Sequence, residues 1–293
     1  MDLITEHRVA LPLREPVAGL VAVEATLVQG PAGWGEVSSP PPAYPADLRA
    51  ARRAAEEAAT TGWPPPARDR VAVNALIPAV SPERAAALAA AAVADGFRCV
   101  KVKVGPGADV DRVAAVRNAV GPNVALRVDA NGAWELDGAV AALERLSGFD
   151  LELAEQPVAA IEDLARLRRR VAVALAADES VRGLADARAL ARLHAVDAVV
   201  VKVQPLGGVA AAMEVVDAAR VPAVVSSLYE TSVGLAAGLA LAAALPELPY
   251  ACGLGTAALL AADVVADPLV PAHGELAVRR PEPDPDLLRR YTA

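Results

Sequence analysis

The stretch Cys99-Val100-Lys101-Val102-Lys103-Val104, closed by Gly105-Pro106-Gly107, decides how the chain is read. It alternates as a short β-strand does, with Lys101 and Lys103 on one face and the three valines on the other. Two neighbouring ammonium groups in an apolar strand repel each other and lose hydration. Such a pair by itself reads as the solvated face of an edge strand. The residues downstream change that reading. Four more apolar runs each end on a charged side chain, at Asp129, Glu155, Asp178 and Lys202, with steps of 26, 23 and 24 residues between them. One strand, one helix and two loops fill such a step. This is the repeat of a (β/α) barrel, in which polar groups at the C-terminal ends of the strands face one shared site. Any one acid alone could cap a helix or sit in a solvated loop, but the common register of all five positions argues against that.

Working outward, the period predicts strands over 71–77, 99–104, 124–129, 151–155, 174–178, 198–202, 223–226 and 249–252. Helices are expected over 81–96, 109–120, 137–146, 161–169, 184–193, 209–219 and 232–244. Ser81-Pro82-Glu83 reads as a cap with proline at the first helical position, and Gly121-Pro122 stops the following helix. Residues 1–66 do not follow the period. There, 3–11 and 20–28 read as strands joined around Pro16 and Gly19, and 33–37 as a short strand or turn. A proline-rich loop at 39–45 precedes a helix at 46–60. Trp63-Pro64-Pro65-Pro66 reads as the linker. The expected fold is α/β: a modified TIM-type (β/α) barrel at 67–263 with a small α+β capping domain at 1–66. A tail at 264–293 is expected to pack back on the cap.

Composition narrows the function. Of 293 residues, 55% are hydrophobic but only 3% are aromatic, so the core must be built from Ala, Val and Leu. The net charge is -8 and no basic stripe stands out, which disfavours nucleic acid and anionic membrane as partners. The apolar span 233–245 is short for a membrane helix and ends at Pro246. No basic N-terminal region leads into a long apolar segment, so a cytoplasmic protein is expected. Cys99 and Cys252 fall in apolar runs and read as buried thiols of a reducing compartment.

Three carboxylates converging from adjacent strands cannot share a dry site without a cation. An all-oxygen donor set suits Mg²⁺ better than zinc, with Mn²⁺ as a substitute. Lysines at 103 and 202 would then flank that cation. A free lysine, with pKa about 10.4, is a base in only about one molecule in two thousand at pH 7. Burial, the second lysine at 101 and a divalent cation are all expected to push Lys103 down and make it a base. His7, His194 and His273 fall off these strand ends. The arrangement suits removal of a proton beside a carboxylate, with stabilisation of the enediolate that results.

Lys-x-Lys at 101–103, Asp-Ala-Asn at 129–131, Glu-Gln-Pro at 155–157, Asp-Glu-Ser at 178–180 and a lysine at 202 together resemble the enolase superfamily, in its muconate-cycloisomerase-like branch. The resemblance covers nearly the whole chain. It implies a capped barrel with Mg²⁺ on Asp129, Glu155 and Asp178, and Lys103 and Lys202 as the acid/base pair. Within the branch, three features resemble a carbon–oxygen lyase of menaquinone biosynthesis: Arg127 two residues before Asp129, the serine-rich 226–232 stretch, and a Lys-x-Lys reached early, behind a trimmed cap. The implied reaction is dehydration of 2-succinyl-6-hydroxy-2,4-cyclohexadiene-1-carboxylate to 2-succinylbenzoate. N-acylamino acid racemisation is the alternative within the superfamily, and a catalytically silent barrel is the alternative outside it. Dipeptide epimerases usually carry Asp-x-Asp near the eighth strand, where Cys252-Gly253-Leu254-Gly255 stands here.

A second set of residues has two readings each. Arg127 would hold a ligand carboxylate or a barrel ion pair. Asn131 would touch a ligand or orient its loop. Glu179 is expected to pair with a barrel lysine rather than bind metal. Ser226, Ser227 and the amides near Gly253 would bind the succinyl carboxylate or form a plain turn. The 13–19 stretch is the expected substrate-facing cap loop, and Trp34 and Trp63 are expected in cap packing.

Overall fold

The computed structural model of the protein describes residues 4–17, 19–40, 44, 47–106 and 109–293. Leu3, Ala18, Ala46, Gly107 and most of the proline-rich stretch lie outside the described residues. The cap is a three-stranded antiparallel sheet of β1 (Thr5–Val17), β2 (Leu20–Gly30) and β3 (Gly33–Ser38), in that order. Val9, Leu11 and Leu13 alternate inward along β1. Helix α1 (Leu48–Thr60) starts at Asp47, whose side chain accepts from Arg49 N at 2.9 Å. Its buried face is six alanines, and the small side chains let it sit close on the sheet. At Gly30 a Cβ would lie 2.5 Å from the carbonyl oxygen of Ala59, and at Gly35 it would overlap the Ala55 carbonyl.

The barrel is one parallel sheet. Its strands, in spatial order, are β5 (Ala75–Ile77), β6 (Cys99–Lys103), β7 (Ala125–Asp129), β8 (Leu151–Glu155), β9 (Leu175–Ala177), β10 (Ala198–Lys202) and β11 (Ala223–Ser226). The expected strand at 71–77 is split. β4 (Arg70–Ala72) pairs antiparallel with β12 (Glu275–Ala277) of the tail, and only β5 joins the barrel. The expected eighth strand shrinks to Cys252 and Gly253. Cys252 N donates to Ala72 O at 2.8 Å, and Asn74 N donates to Cys252 O at 2.9 Å. On the other side Gly253 N donates to Val225 O at 2.8 Å, and Ser227 N to Gly253 O at 3.1 Å. Two residues therefore close the barrel, where Pro249 could not have donated to a ladder.

Helices α2 (Pro82–Ala94), α3 (Val110–Val120), α4 (Leu136–Leu146), α5 (Ile161–Arg168) and α6 (Leu184–Leu193) follow their strands as the period requires. A short helix, α7 (Val203–Leu206), interrupts the step before α8 (Val209–Ala219). It was not expected, and it packs against α1 of the cap. Helix α9 (Ser232–Ala244) has eleven of its thirteen residues buried, between the barrel and β3, which accounts for its apolar character on every side. Among the described residues, no helix is long and apolar enough to cross a membrane.

The tail ends in α10 (Pro285–Arg290) and returns to the cap: Ala10 N donates to Tyr291 O at 3.0 Å and Ala293 N to Arg8 O at 3.1 Å. Arg280 donates to the carbonyls of Ala32, Trp34 and Ala58 and lies 4.2 Å from the Trp63 ring centre. Trp34 packs in the cap beside His7. The stretch expected as a loop at 13–19 is strand up to Val17. Leu13 is buried and bridged to Leu260, and Arg14 donates to Ala258 O at 3.1 Å.

The cap depends on the close approach of α1 to β3. Gly35→Ala should cost about 1–3 kcal/mol through overpacking against rigid backbone, seen as a fall of several degrees in the calorimetric melting temperature.

Candidate active site

Strand register brings the charged groups together. Lys103 is paired with Asp129, and Asp129 with Glu155, across three neighbouring strands. Glu155 is paired with Ala176, so Asp178 stands past the end of the β9 ladder. Lys202 ends β10 opposite Ser226. The lower interior is filled by Leu153, Ala176, Ala198, Val200 and Val224, and these small side chains leave room for Arg127 and Tyr250. Asp129, Glu155, Asp178 and Lys202 are all buried. Of the lysine pair, the Lys103 side chain is 33% exposed and that of Lys101 only 11%, which makes Lys103 the one that reaches the mouth.

The ion pairs form a web. Lys101 Nζ lies 2.8 Å from Glu155 Oε1 and 3.3 Å from Asp129 Oδ2. Lys103 Nζ lies 3.3 Å from the same Asp129 oxygen. Lys202 Nζ binds both oxygens of Asp178, at 2.5 Å to Oδ2. Burial would raise Asp129, but Lys101 and Lys103 outweigh it and hold the carboxyl below its usual range. Glu155 is pushed up to about 7 by burial, relieved by Lys101 but reinforced by Asp129 and Asp178. Burial raises Asp178 as well, against the pull of Lys202. Lys101 and Lys202 shift the other way from the depression expected of Lys103. Burial alone would lower both, yet the facing carboxylates outweigh it and hold both above the ordinary lysine range. Among the described residues no three His, Cys, Asp or Glu side chains are gathered closely enough to ligate one ion as they stand. The ammonium of Lys101 bridges two of the carboxylates and that of Lys202 holds the third. Three buried oxygen donors, neutralised by stand-in cations, form a set that fits a hard divalent ion.

The second set of residues resolves unevenly. Arg127 is 1% exposed and forms the barrel ion pair: its Nε lies 2.5 Å from Glu152 Oε2, and Nη1 donates to Ala251 O at 2.8 Å. Its Nη2 is buried with no partner among the described residues. Asn131 donates from its backbone to Asp129 Oδ1 at 3.1 Å and from its side chain to Glu179 Oε1 at 2.7 Å. The lysine pairing expected of Glu179 is thus replaced by Asn131, because each of the site lysines already has an aspartate or glutamate nearer to hand. Ser226 and Ser227 both turn their hydroxyls to the carbonyl of Gly253, at 3.4 and 2.9 Å, and Ser227 also meets Thr256 Oγ1 at 2.9 Å. The Gly253 amide, expected for a ligand carboxylate, is already used in barrel closure. A Cβ at Gly253 would strike Ser226 Oγ at 2.5 Å, so the two residues require each other.

Sequence reasoning missed three groups. Tyr44 comes from the cap and places its ring centre 4.5 Å from Lys202 Nζ, with its hydroxyl at 3.4 Å. It sits in an aperiodic proline-rich stretch that carries no signal. Gln156 was visible only as the middle of Glu-Gln-Pro. Glu36 of β3 accepts from Thr231 N at 3.0 Å and Gly234 N at 2.8 Å at the start of α9, beside buried Glu230. Cys99 and Cys252 are buried, and burial pushes their thiols up to about 11 and about 12, as expected of inert cysteines. A groove of about 670 Å³ between α6 and α8, lined by Arg188, Arg192, Glu214, Asp217 and Arg220, contains none of the strand-end groups.

Comparison with known proteins bears on this geometry. Residues 84–283 match the model of the "Enolase C-terminal domain-like" family. The chain belongs to that family. It is 51% identical to the o-succinylbenzoate synthase of Thermobifida fusca over 282 residues, 94% of this chain and 88% of the relative. It is 47% identical to the o-succinylbenzoate synthase of Mycolicibacterium smegmatis over 98% of this chain and 89% of that one. Among solved structures, 2-chloromuconate cycloisomerase from Rhodococcus opacus superposes with a TM-score of 0.89 over 99% of each chain at 24% identity, a likeness of fold alone. The expected superfamily and capped-barrel fold are thus borne out.

Glu230 generates a prediction. Burial, and then Glu36 beside it, raise its carboxyl to about 8, against Lys202 and a hydrogen bond with Gln204. The folded protein binds this proton more tightly than the unfolded chain. Its contribution to stability is therefore complete below the ordinary carboxyl range and is lost as pH rises through about 8. Glu230→Gln should match the parent near pH 4 and exceed it at pH 8 by on the order of a few kcal/mol. Denaturant melts at the two pH values measure this.

Proposed function

We propose that the chain is an o-succinylbenzoate synthase, a hydro-lyase that takes 2-succinyl-6-hydroxy-2,4-cyclohexadiene-1-carboxylate to 2-succinylbenzoate and water. The observation that carries this reading is the 51% identity to a synthase across 94% of the chain. The site supports it with one lysine cluster on β6 and another lysine across the barrel on β10. On this reading the enzyme works in the cytoplasm, in menaquinone biosynthesis, on a small carboxylate and without nucleic acid or membrane. Cap, barrel and tail divide at 1–66, 67–263 and 264–293.

Asp129, Glu155 and Asp178 would hold Mg²⁺, which supplies positive charge beside the substrate carboxylate as a Lewis acid. Lys103, the more exposed of the β6 pair, takes the proton from the ring carbon that bears the carboxylate. The same lysine returns that proton to the departing hydroxide, so water leaves and the ring becomes aromatic. Lys202 faces the ring from the other side and stabilises the enediolate as a cation, under the ring of Tyr44. Ser226 and Ser227 stand at the barrel-closing edge, where their hydroxyls would have to turn from the Gly253 carbonyl to bind the succinyl carboxylate. Arg127 and Glu152 act below the reacting atoms as a plug that supports Lys101 and Asp129.

EDTA should abolish diene loss, followed by absorbance, and Mg²⁺ or Mn²⁺ should restore it; full activity in verified metal-free protein would refute the metal. Lys103→Ala should cost at least the 10²–10⁴-fold typical of a lost general base. A variant that keeps more than about a tenth of the parent rate would displace Lys103 from that role. Lys202→Ala should slow dehydration while leaving exchange from the Lys103 face intact, measured as deuterium uptake by an N-succinyl amino acid.

A further inference from the structure

We propose that Gln156 is a positioning residue that sets the spacing of the three carboxylates, and through it the affinity and selectivity of the site for Mg²⁺. The inference rests on the metal reading above and goes beyond it to a side chain that touches neither metal nor substrate. Asp178 poses the problem that Gln156 solves. The β9 ladder ends at Ala177, so no strand partner holds the backbone of Asp178. The side chain of Gln156 takes that place. Its Oε1 accepts from Asp178 N at 2.7 Å, from Ser180 N at 3.2 Å and from Ser180 Oγ at 3.0 Å.

The rest of the residue is equally engaged. Gln156 Nε2 donates to Val158 O at 2.7 Å. Its backbone N donates to Ala176 O at 2.8 Å, and its carbonyl accepts from Gly132 N at 2.6 Å. One fully buried residue therefore ties together the ends of β7, β8 and β9, the three strands that lead into Asp129, Glu155 and Asp178. Its φ of 37° lies in the left-handed region, which a non-glycine residue adopts only when its surroundings require it. That backbone twist directs the side chain behind the Asp178 turn while Glu155, one residue earlier, faces the site. A glutamine is suited to this because it is uncharged: an acid here would add a fourth carboxylate behind the site, and an apolar side chain would leave three donors buried without an acceptor. Mg²⁺ demands near-ideal octahedral geometry, so it should feel a displaced Asp178 more than the larger Mn²⁺ does.

The test is calorimetric titration of Mg²⁺ and of Mn²⁺ into metal-stripped full-length protein, compared with Gln156→Met and Ser180→Ala. Gln156→Met should raise the Mg²⁺ dissociation constant at least tenfold and the Mn²⁺ constant at least threefold less than that. kcat at saturating Mg²⁺ should stay within a few-fold of the parent. Equal weakening of both ions would mean a merely structural role, and an unchanged Mg²⁺ constant would overturn the proposal outright. If Gln156→Met does not fold, Ser180→Ala decides, because it removes one of three donors. It should raise the Mg²⁺ constant two- to fivefold at unchanged melting temperature, and no change would refute the positioning role. Parent protein that binds no Mg²⁺ would refute the metal reading and this inference with it. Parent binding with unaltered variants would refute the inference alone.

Discussion

Three carboxylates buried side by side at the ends of β7, β8 and just beyond β9 are the constraint on which the rest of the structure depends. Such groups repel one another and lose their hydration, and both effects disfavour their charged forms. The chain answers with cations at close range. Lys101 spans Glu155 and Asp129 from below, Lys103 reaches Asp129 from the rim, and Lys202 holds Asp178. The charge is balanced unevenly: Glu155 sits near 7 while Asp129 is held low.

The cap is attached by the same kind of physics used in reverse. Helix N-termini carry unpaired amides and partial positive charge. Glu57 of α1 accepts from Val209 N at 2.6 Å and Ala210 N at 3.0 Å, at the start of α8. Glu36 of β3 does the same for α9, while Asp263 accepts from Ser232 N at 3.1 Å on that same helix. Two cap carboxylates thus dock on two consecutive barrel helices. This places the described cap residue Tyr44 over Lys202, and it explains how a trimmed cap of three strands and one helix is held over the mouth.

Much of this was legible in the sequence for a specific reason. Alternation along 99–104 set which side of the strand Lys101 and Lys103 share, and the steps from Asp129 to Lys202 set how often a strand returns to the mouth. α6, α8, α9 and β11 begin and end where the period placed them. The failures fall where the period fails. The first predicted strand divides between barrel and tail because β12, some two hundred residues later, captures Arg70–Ala72. The eighth strand contracts to Cys252 and Gly253, since pairing on both sides needs only two residues there. The stretch from Leu13 to Val17 continues as strand, with Leu13 bridged to Leu260.

What the sequence determined by itself was a set of directions: which side chains point inward, at which level, and with what charge. Those follow from local backbone geometry, and alternation reports them without knowledge of the partner. Only the tertiary structure decided the pairings. Arg127 went to Glu152, and Glu179 to Asn131 and not to a lysine. Gln156 went behind Asp178, and the carboxylates facing Lys101 and Lys202 held those two above the ordinary lysine range. These outcomes depend on the stagger of closed strands and on which oppositely charged group lies within about 3 Å in a dry interior. There, a short separation in a low dielectric outweighs the intrinsic preference of either group.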